Sequence, residues 1–251
     1  MIVTGVDMAS DPAGVDAVVA GSDSRMIPVP PSAVNEVFGD RLSAVEQYVR
    51  LLAGPGLDRG LIGPHEIDRI WHRHILNCAV VAELVPSRCS LVDIGSGAGL
   101  PGIPLAMLRP DASVVLVESL LRRSVFLDEC VADLGLTNAE VLRSRAEDLA
   151  GKVSADVVTA RAVAPLRRLV EWAAGVVRPG GTILAIKGDR ASQELREAQS
   201  VLRGLDVQRA EILTVGHGKV EPETVVVRIV TRNGSRNRRG ARSRGNRRDR
   251  P

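Results

Sequence analysis

The stretch Leu91-Val92-Asp93-Ile94-Gly95-Ser96-Gly97-Ala98-Gly99-Leu100-Pro101-Gly102 sets a glycine-dense turn directly behind a short apolar run. A strand feeding such a turn, with a helix opening beyond it, brings bare backbone N–H groups and a helix N-terminus up against a ligand. That arrangement predicts a nucleotide-like ligand. From Ser90 onward β-type runs alternate with helical patterns, the order expected of βαβ units and a parallel sheet. Strands are predicted at Leu91–Ile94, Val114–Glu118, Ala139–Leu142, Ala155–Ala160, Thr182–Lys187, Val207–Val215 and Val225–Val230. Helices are predicted at Pro101–Leu108, Leu120–Leu134, Leu166–Val177 and Ser192–Gly204, with glycines and prolines between elements, as in Arg178-Pro179-Gly180-Gly181.

Upstream, residues 1–31 mix Gly, Ser, Asp and small apolar residues and end on Pro28-Val29-Pro30-Pro31, which reads as a flexible leader with Met26 as a second candidate start. Ser32 reads as a cap opening an apolar helical stripe through Val34, Val37, Phe38, Leu42, Val45, Val49 and Leu52, which stops at Gly54-Pro55-Gly56. A second periodic segment runs from Ile67 through Trp71, Ile75 and Val80 to Leu84 and is ended by Pro86. Residues 32–86 are thus expected to form a small helical cap before a main domain at residues 87–231. No apolar run approaches the roughly 18 to 20 residues that span a bilayer, and no export signal is legible, so a cytoplasmic protein without a membrane partner is expected. Cys78, Cys89 and Cys130 are odd in number and lack a C-x-x-C pair, so buried free thiols are expected, with neither disulfides nor metal.

The formal charge of +3 averages two unlike regions. Residues 232–251 hold nine arginines and one aspartate, leaving a net −5 on residues 1–231. With no aromatic or large aliphatic residue, this tail cannot offset its ordering entropy by burial and is expected to be disordered. It serves either as a solubilising end or as a non-specific attractor of phosphate.

Two ligand readings compete at the glycine turn. Gly97-x-Gly99-x-x-Gly102 fits the dinucleotide fingerprint, and Asp93-x-Gly95-x-Gly97-x-Gly99 fits the first motif of S-adenosylmethionine (SAM) methyltransferases. A carboxylate at Asp93 suits a ligand carrying an ammonium and a sulfonium, whereas pyrophosphate would be repelled there. Glu118, 19 residues beyond Gly99, stands where doubly wound folds set an acid against ribose hydroxyls. Ala146-Glu147-Asp148 falls where a methyltransferase holds adenine, though a solvated acidic turn reads equally well. Arg161, ending the fourth strand, is placed beside the cofactor's reactive end, where an arginine can clamp a carboxylate or phosphate. Val177-Arg178-Pro179-Gly180-Gly181-Thr182, common before the fifth strand of methyltransferases, tips the reading to SAM and away from a nicotinamide dehydrogenase.

The chain resembles a known family, the bacterial small-subunit ribosomal RNA guanine-N7 methyltransferases, also called glucose-inhibited division protein B or RsmG. The resemblance runs from about Arg69 to Gly188. It rests on Arg73-His74-Ile75-Leu76-Asn77, on Leu100-Pro101-Gly102-Ile103-Pro104 after the glycine turn, and on Glu118-Ser119, Arg122-Arg123, Phe126-Leu127, Ser144-Arg145-Ala146-Glu147, Arg161-Ala162 and Lys187-Gly188. It implies an α/β class I fold, Rossmann-like, with a seven-stranded mostly parallel sheet and the helical N-terminal cap. It also implies SAM as cofactor, S-adenosylhomocysteine as product, and contacts from Gly95, Leu100, Ala146, Glu147 and Arg161. Asp93, Gly97, Gly99, Glu118 and Ser119 join them as cofactor candidates. The implied substrate is a guanine in the 530 loop of 16S rRNA, guanine 527 by family resemblance, in free rRNA or an assembling small subunit. Candidate RNA contacts are Arg73, His74, Arg122, Arg123 and Lys187, with Arg73 and His74 alternatively bracing the cap and Arg122 and Arg123 alternatively forming a solvated turn. The pattern departs from the family at Gly56-Leu57-Asp58-Arg59-Gly60-Leu61-Ile62-Gly63 and in the arginine tail.

Guanine N7 is a lone-pair nucleophile with no proton to lose, so positioning and desolvation suffice and no general base is required. Arg161 is then a positioning group. His72 and His74, two apart on a helix, do not face each other and make no metal site. The competing functions are a SAM-dependent methyltransferase for another RNA or a small molecule, and a non-catalytic RNA-binding factor. A monomer is the simplest expectation.

Overall fold

The computed structural model describes residues 27–233. Seven strands, β1 (Ser90–Ile94), β2 (Ser113–Glu118), β3 (Ala139–Arg143), β4 (Ala155–Arg161), β5 (Val177–Lys187), β6 (Val207–Val215) and β7 (Thr224–Thr231), form one sheet in the order β3-β2-β1-β4-β5-β7-β6. The first five are parallel, and β7 runs antiparallel between β5 and β6. Central parallel strands are covered on both faces, which is why β1 and β4 read as near-continuous apolar runs. The edge strand β3 is only half covered and carries Glu140 and Arg143.

The helices are α1 (Ser32–Phe38), α2 (Leu42–Leu51), α3 (Asn77–Ala79), α4 (Gly102–Leu108), α5 (Leu121–Asp133), α6 (Leu166–Ala173), α7 (Ala191–Glu197) and α8 (Gln199–Gly204). One face of the sheet packs on α4, α5 and the helices that precede β1, and a single core runs from Val34, Tyr48, Ile70 and Ile75 through Ile103 and Leu116 to Phe126. Leu52, Ile70, Ile75 and Leu76 are fully buried in it, each worth about 1.5–3 kcal/mol of apolar transfer. The other face carries α6 to α8 around Val92, Val158, Leu169, Val170 and Ile183. Arg59, in the turn that departs from the family pattern, pairs with Glu129 at 2.6 Å and lies over the Phe126 ring, pinning that turn to α5.

All seven strands expected from the sequence are present, with differences at the edges of elements. Ser32 is the first helical residue rather than a cap: Pro31 precedes the helix and no side chain bonds its free N–H groups. The second periodic segment, expected to run as helix from Ile67 to Leu84, winds unevenly as a 3₁₀ turn (Pro64–Arg69), a π-wound stretch (Ile70–Leu76), α3 and a second 3₁₀ turn (Val80–Leu84). The helix expected to reach Val177 stops at Ala173, because Gly175 packs against Ala150 and the Val176 carbonyl leaves to accept the Ala155 N–H at 2.9 Å. The pattern Arg178-Pro179-Gly180-Gly181 consequently lies inside β5. The helix expected at Ser192–Gly204 breaks at Ala198, which is fully buried.

The tail boundary also moves. Arg232 donates its N–H to the Asp206 carbonyl at 2.7 Å and its carbonyl accepts the Gly180 N–H at 2.9 Å, so pairing extends one residue into the predicted tail. The rest of the expected tail, residues 234–251, and most of the leader, residues 1–26, lie outside the described residues. Among the described residues no helix is long and apolar enough to cross a membrane, and the three cysteines are free and buried.

Candidate cofactor cleft

A cleft of about 680 Å³ opens at the carboxyl ends of β1, β2 and β4. It lies where the chain leaves β1 for one half of the sheet and returns at β4 for the other, the switch point at which open α/β sheets bind ligands. Its wall includes Gly95, Ser96, Gly97, Leu100, Glu118, Ser119, Ala146, Glu147 and Arg161 from the sheet and turns, with Leu61 from a bend and His74 from a helical stretch of the N-terminal region.

Gly95 and Gly97 have φ of 69° and 58°, which L side chains rarely adopt. The two glycines differ in what a side chain would meet. A Cβ at Gly95 would lie 2.3 Å from Val163 Cγ2, whereas at Gly97 the nearest atom is the Gly95 carbonyl at 3.8 Å, so that position faces open space in the cleft. The Gly97 N–H donates to Glu118 Oε2 at 3.1 Å, and Glu118 Oε1 accepts the N–H groups of Ser119 and Leu120 at 2.8 and 2.9 Å. The carboxylate is thereby locked at the cleft wall with little freedom to turn away.

Two residues expected at the ligand are behind the wall. Asp93 is completely buried: its Oδ1 accepts the Thr159 hydroxyl at 2.9 Å and its Oδ2 the Gly102 N–H at 3.2 Å. It ties β1 to β4 and to the start of α4, and burial pushes its pKa up to about 6. Expected from the sequence to stand against the ligand, this carboxyl is instead turned away from the cleft and braces the turn. Gly99 is buried too, and a Cβ there would strike Ile103 Cδ1 at 2.4 Å and the Tyr48 hydroxyl at 2.9 Å. It serves close packing of the turn on α2 and α4.

Arg161 lines the cleft, but its guanidinium is not free to swing as a clamp. Nη1 donates to Cys78 Sγ at 3.0 Å and to the His74 carbonyl at 3.3 Å, and Nη2 lies 2.7 Å from His74 Nδ1. The candidate RNA contacts divide in the same way. Arg122 is exposed at the start of α5, Arg123 lines the cleft with Nη1 3.7 Å from Glu118, and Arg73 is exposed while bonding Glu66 at 3.1 Å. His74 is mostly buried between Arg161 and Glu66, the bracing alternative. Lys187 is a correction: its Nζ is buried and donates to the Ala164 carbonyl and to Glu194 Oε2, both at 2.8 Å. It closes the loop after β4 onto α7 and offers no charge to RNA.

Sequence reasoning missed Tyr48, whose hydroxyl donates to the Ala98 carbonyl at 2.7 Å and so joins α2 to the glycine turn. The signal was present: it is the chain's one tyrosine, three residues after Val45 and four before Leu52 on the same stripe. Arg145, Arg168 and Trp172 on the cleft wall were missed as well, and nothing in their spacing marks them. Among the described residues no cluster of ligands suited to a metal ion occurs.

These residues fit SAM. The volume lies in the range of about 300–1,000 Å³ usual for small-molecule sites, the open face of Gly97 admits close backbone approach, and Glu118 ends β2 as a ribose-binding acid does. An antiparallel β7 inserted between β5 and β6 departs from the 3-2-1-4-5-6 order of dinucleotide-binding folds, which removes the dehydrogenase reading. Residues 41–222 match the model of the family described as rRNA small subunit methyltransferase G. The chain belongs to this family.

The match takes in α2, the residues after it and the sheet through β6, well beyond the segment that carried the resemblance. A ribosomal RNA small subunit methyltransferase G from Thermobifida fusca is 54% identical over 201 residues, covering 80% of this chain and 85% of its own. One from Mycolicibacterium smegmatis is 48% identical over 226 residues, covering 87% and 96%. Among solved structures, a Methanococcus maripaludis protein assigned as a SAM-dependent methyltransferase superposes with a TM-score of 0.52 at 14% identity, over 63% of this chain and 87% of that one. The fold is that of class I methyltransferases, and SAM is the family's cofactor.

Proposed function

We propose that this protein transfers a methyl group from SAM to N7 of a guanine in the 530 loop of 16S rRNA, guanine 527 by family resemblance. The relatives at about half identity carry the name of small-subunit rRNA methyltransferases, which supports the substrate class. The observation that carries the atom is the chemistry of the cleft wall. Among its described residues no carboxylate or imidazole stands free to act as a base: Glu118 is held by backbone N–H groups, Glu147 pairs with Arg168 at 3.4 Å, and His74 is engaged at both nitrogens. A wall without a base suits a nucleophile that has no proton to lose, as N7 of guanine has none.

When bound, SAM supplies an electrophilic methyl group on its sulfonium. Gly97, Glu118, Ser119, Leu100, Ala146, Glu147 and Arg161 would hold it. Arg123, Arg145 and Arg168 on the same wall, with exposed Arg122 and Arg73 adjoining the wall residues Arg123 and His74 in sequence, supply positive charge that attracts an RNA backbone without reading its sequence. The protein's work is then to orient the two partners and exclude water, which is worth several kcal/mol of barrier when the geometry is right. Mass spectrometry of 16S rRNA from cells lacking the gene, and from the same cells with it restored, tests the reading. N7-methylguanine at position 527 should vanish and return; an unchanged modification pattern overturns the proposal.

A further inference from the structure

His74 belongs to a connected row of polar side chains that the cofactor cleft does not by itself explain. Glu66 sits on the 3₁₀ turn Pro64–Arg69, His74 on the π-wound stretch Ile70–Leu76, and Arg161 at the end of β4. Glu66 Oε2 lies 2.7 Å from His74 Nε2, and His74 Nδ1 lies 2.7 Å from Arg161 Nη2. A guanidinium only donates and an ionised carboxylate only accepts. The imidazole between them must therefore be neutral, accepting from Arg161 at Nδ1 and donating its Nε2 proton to Glu66. The surroundings enforce this protonation: burial and the Arg161 charge bring the His74 pKa down to about 4 against the opposing pull of Glu66. Glu66 stays ionised because His74, Arg73 and Arg69 all face it, at 2.7, 3.1 and 3.3 Å.

The consequence falls on Arg161. Of its five N–H groups, two on Nη1 and one on Nη2 are taken by the His74 carbonyl, Cys78 Sγ and His74 Nδ1. The Nε–H and the second Nη2–H remain, and in a planar guanidinium these two lie parallel on one edge. We propose that His74 and Glu66 are positioning residues for methyl transfer, fixing the Arg161 guanidinium so that its Nε/Nη2 edge stays presented at the cleft. This rests on the reading of the protein as an rRNA methyltransferase. It assigns the N-terminal helices a role in setting the geometry of the transfer site itself, in addition to covering the sheet.

The test compares the full-length wild type with His74→Ala, His74→Asn, Glu66→Ala, Glu66→Gln and Arg161→Ala, and with the His74→Ala/Arg161→Ala double variant. Methyl transfer is measured on small ribosomal subunits from cells lacking the gene, alongside calorimetric SAM affinity and thermal melting. The amide oxygen introduced by His74→Asn stands where Nδ1 accepts, so this variant should keep kcat within about threefold of wild type while His74→Ala and Arg161→Ala each lose about tenfold or more. Glu66→Gln retains an acceptor and should exceed Glu66→Ala. The double variant should be no worse than Arg161→Ala by more than about threefold, because the two residues act through one guanidinium.

A purely structural role predicts that rates follow melting temperature and that Asn rescues nothing. Equal losses in His74→Ala and His74→Asn, or losses that multiply in the double variant, overturn the proposal. Should His74→Ala fail to fold, nitrogen-15 NMR of the wild-type imidazole still decides: a neutral ring protonated at Nε2 at pH 7 supports the arrangement, and any other state overturns it. A wild-type chain that transfers no methyl to rRNA overturns the functional reading and the positioning role with it, whereas an active wild type with an equally active His74→Ala overturns the positioning role alone.

Discussion

Replacing Gly97 and Gly102 separately with alanine should divide the glycine turn into a face that serves the ligand and a face that serves the fold. At Gly97, φ is 58° and the nearest atom to an added Cβ is 3.8 Å away. The methyl group thus meets no steric opposition, and its cost is the left-handed backbone alone, about 1–2 kcal/mol. It projects into the cleft, where it holds the backbone off the cofactor. SAM affinity should fall by at least about tenfold, or 1.4 kcal/mol, in a protein that still folds. At Gly102 the added Cβ would stand 2.2 Å from Leu116 Cδ2 and 2.9 Å from Asp93 Oδ2. Ordinary contact needs well over an ångström more. Leu116 is fully buried and cannot retreat, so the overpacking should cost about 1–3 kcal/mol and disturb the Asp93 to Gly102 bond in addition. Urea denaturation and SAM titration by calorimetry measure both quantities. A Gly97→Ala protein that binds SAM within about threefold of wild type, or a Gly102→Ala protein as stable as the parent, would contradict this division.

Asp93 should make stability depend on pH in an unusual direction. Its folded pKa is about 6 against 3.8 unfolded, so between these values the folded state holds a proton that the unfolded state has lost, and this group's contribution falls as pH rises through the window and is level above it. Urea denaturation from pH 4 to 8 should show Asp93→Asn flattening that fall; parallel profiles for variant and wild type would tell against it. Lys187→Met should destabilise by about 1–2 kcal/mol by leaving half-buried Glu194 without its cation, and should leave the salt dependence of RNA binding unchanged, as filter binding would show. Truncation after Asn233 removes eight arginines while keeping the Arg232 pairing. RNA affinity should weaken, SAM affinity and the methylated position should hold, and the slope of log affinity against log salt should shrink by about 0.7 to 0.9 for each phosphate no longer neutralised. Identical slopes would make the tail a solubilising end.

The sheet, the glycine turn and the class of ligand were legible in the order of the residues. Strand periodicity and glycine placement are local properties, and a glycine run between an apolar strand and a helix has few backbone conformations open to it, so β1, the turn at Gly95 to Gly99 and the acid at Glu118 needed no coordinates. Which side of the wall each polar residue faces is a tertiary matter. Asp93 and Glu118 each end or nearly end a strand and look alike in a string of letters. In register Asp93 stands opposite Leu116, two residues short of Glu118, so its carboxyl stays behind the turn bonded to Thr159 while Glu118 reaches the cleft at the strand's end. Lys187 and Arg122 likewise carry the same charge, but the first, at the end of β5, is consumed by Glu194 on α7 and the second is exposed. The links from Tyr48 to Ala98 and from His74 to Arg161 join residues 50 and 87 positions apart. Pairings over such separations exist only once the N-terminal helices have docked on the sheet, because their partners are chosen by packing and desolvation across two surfaces and not by any pattern along one chain.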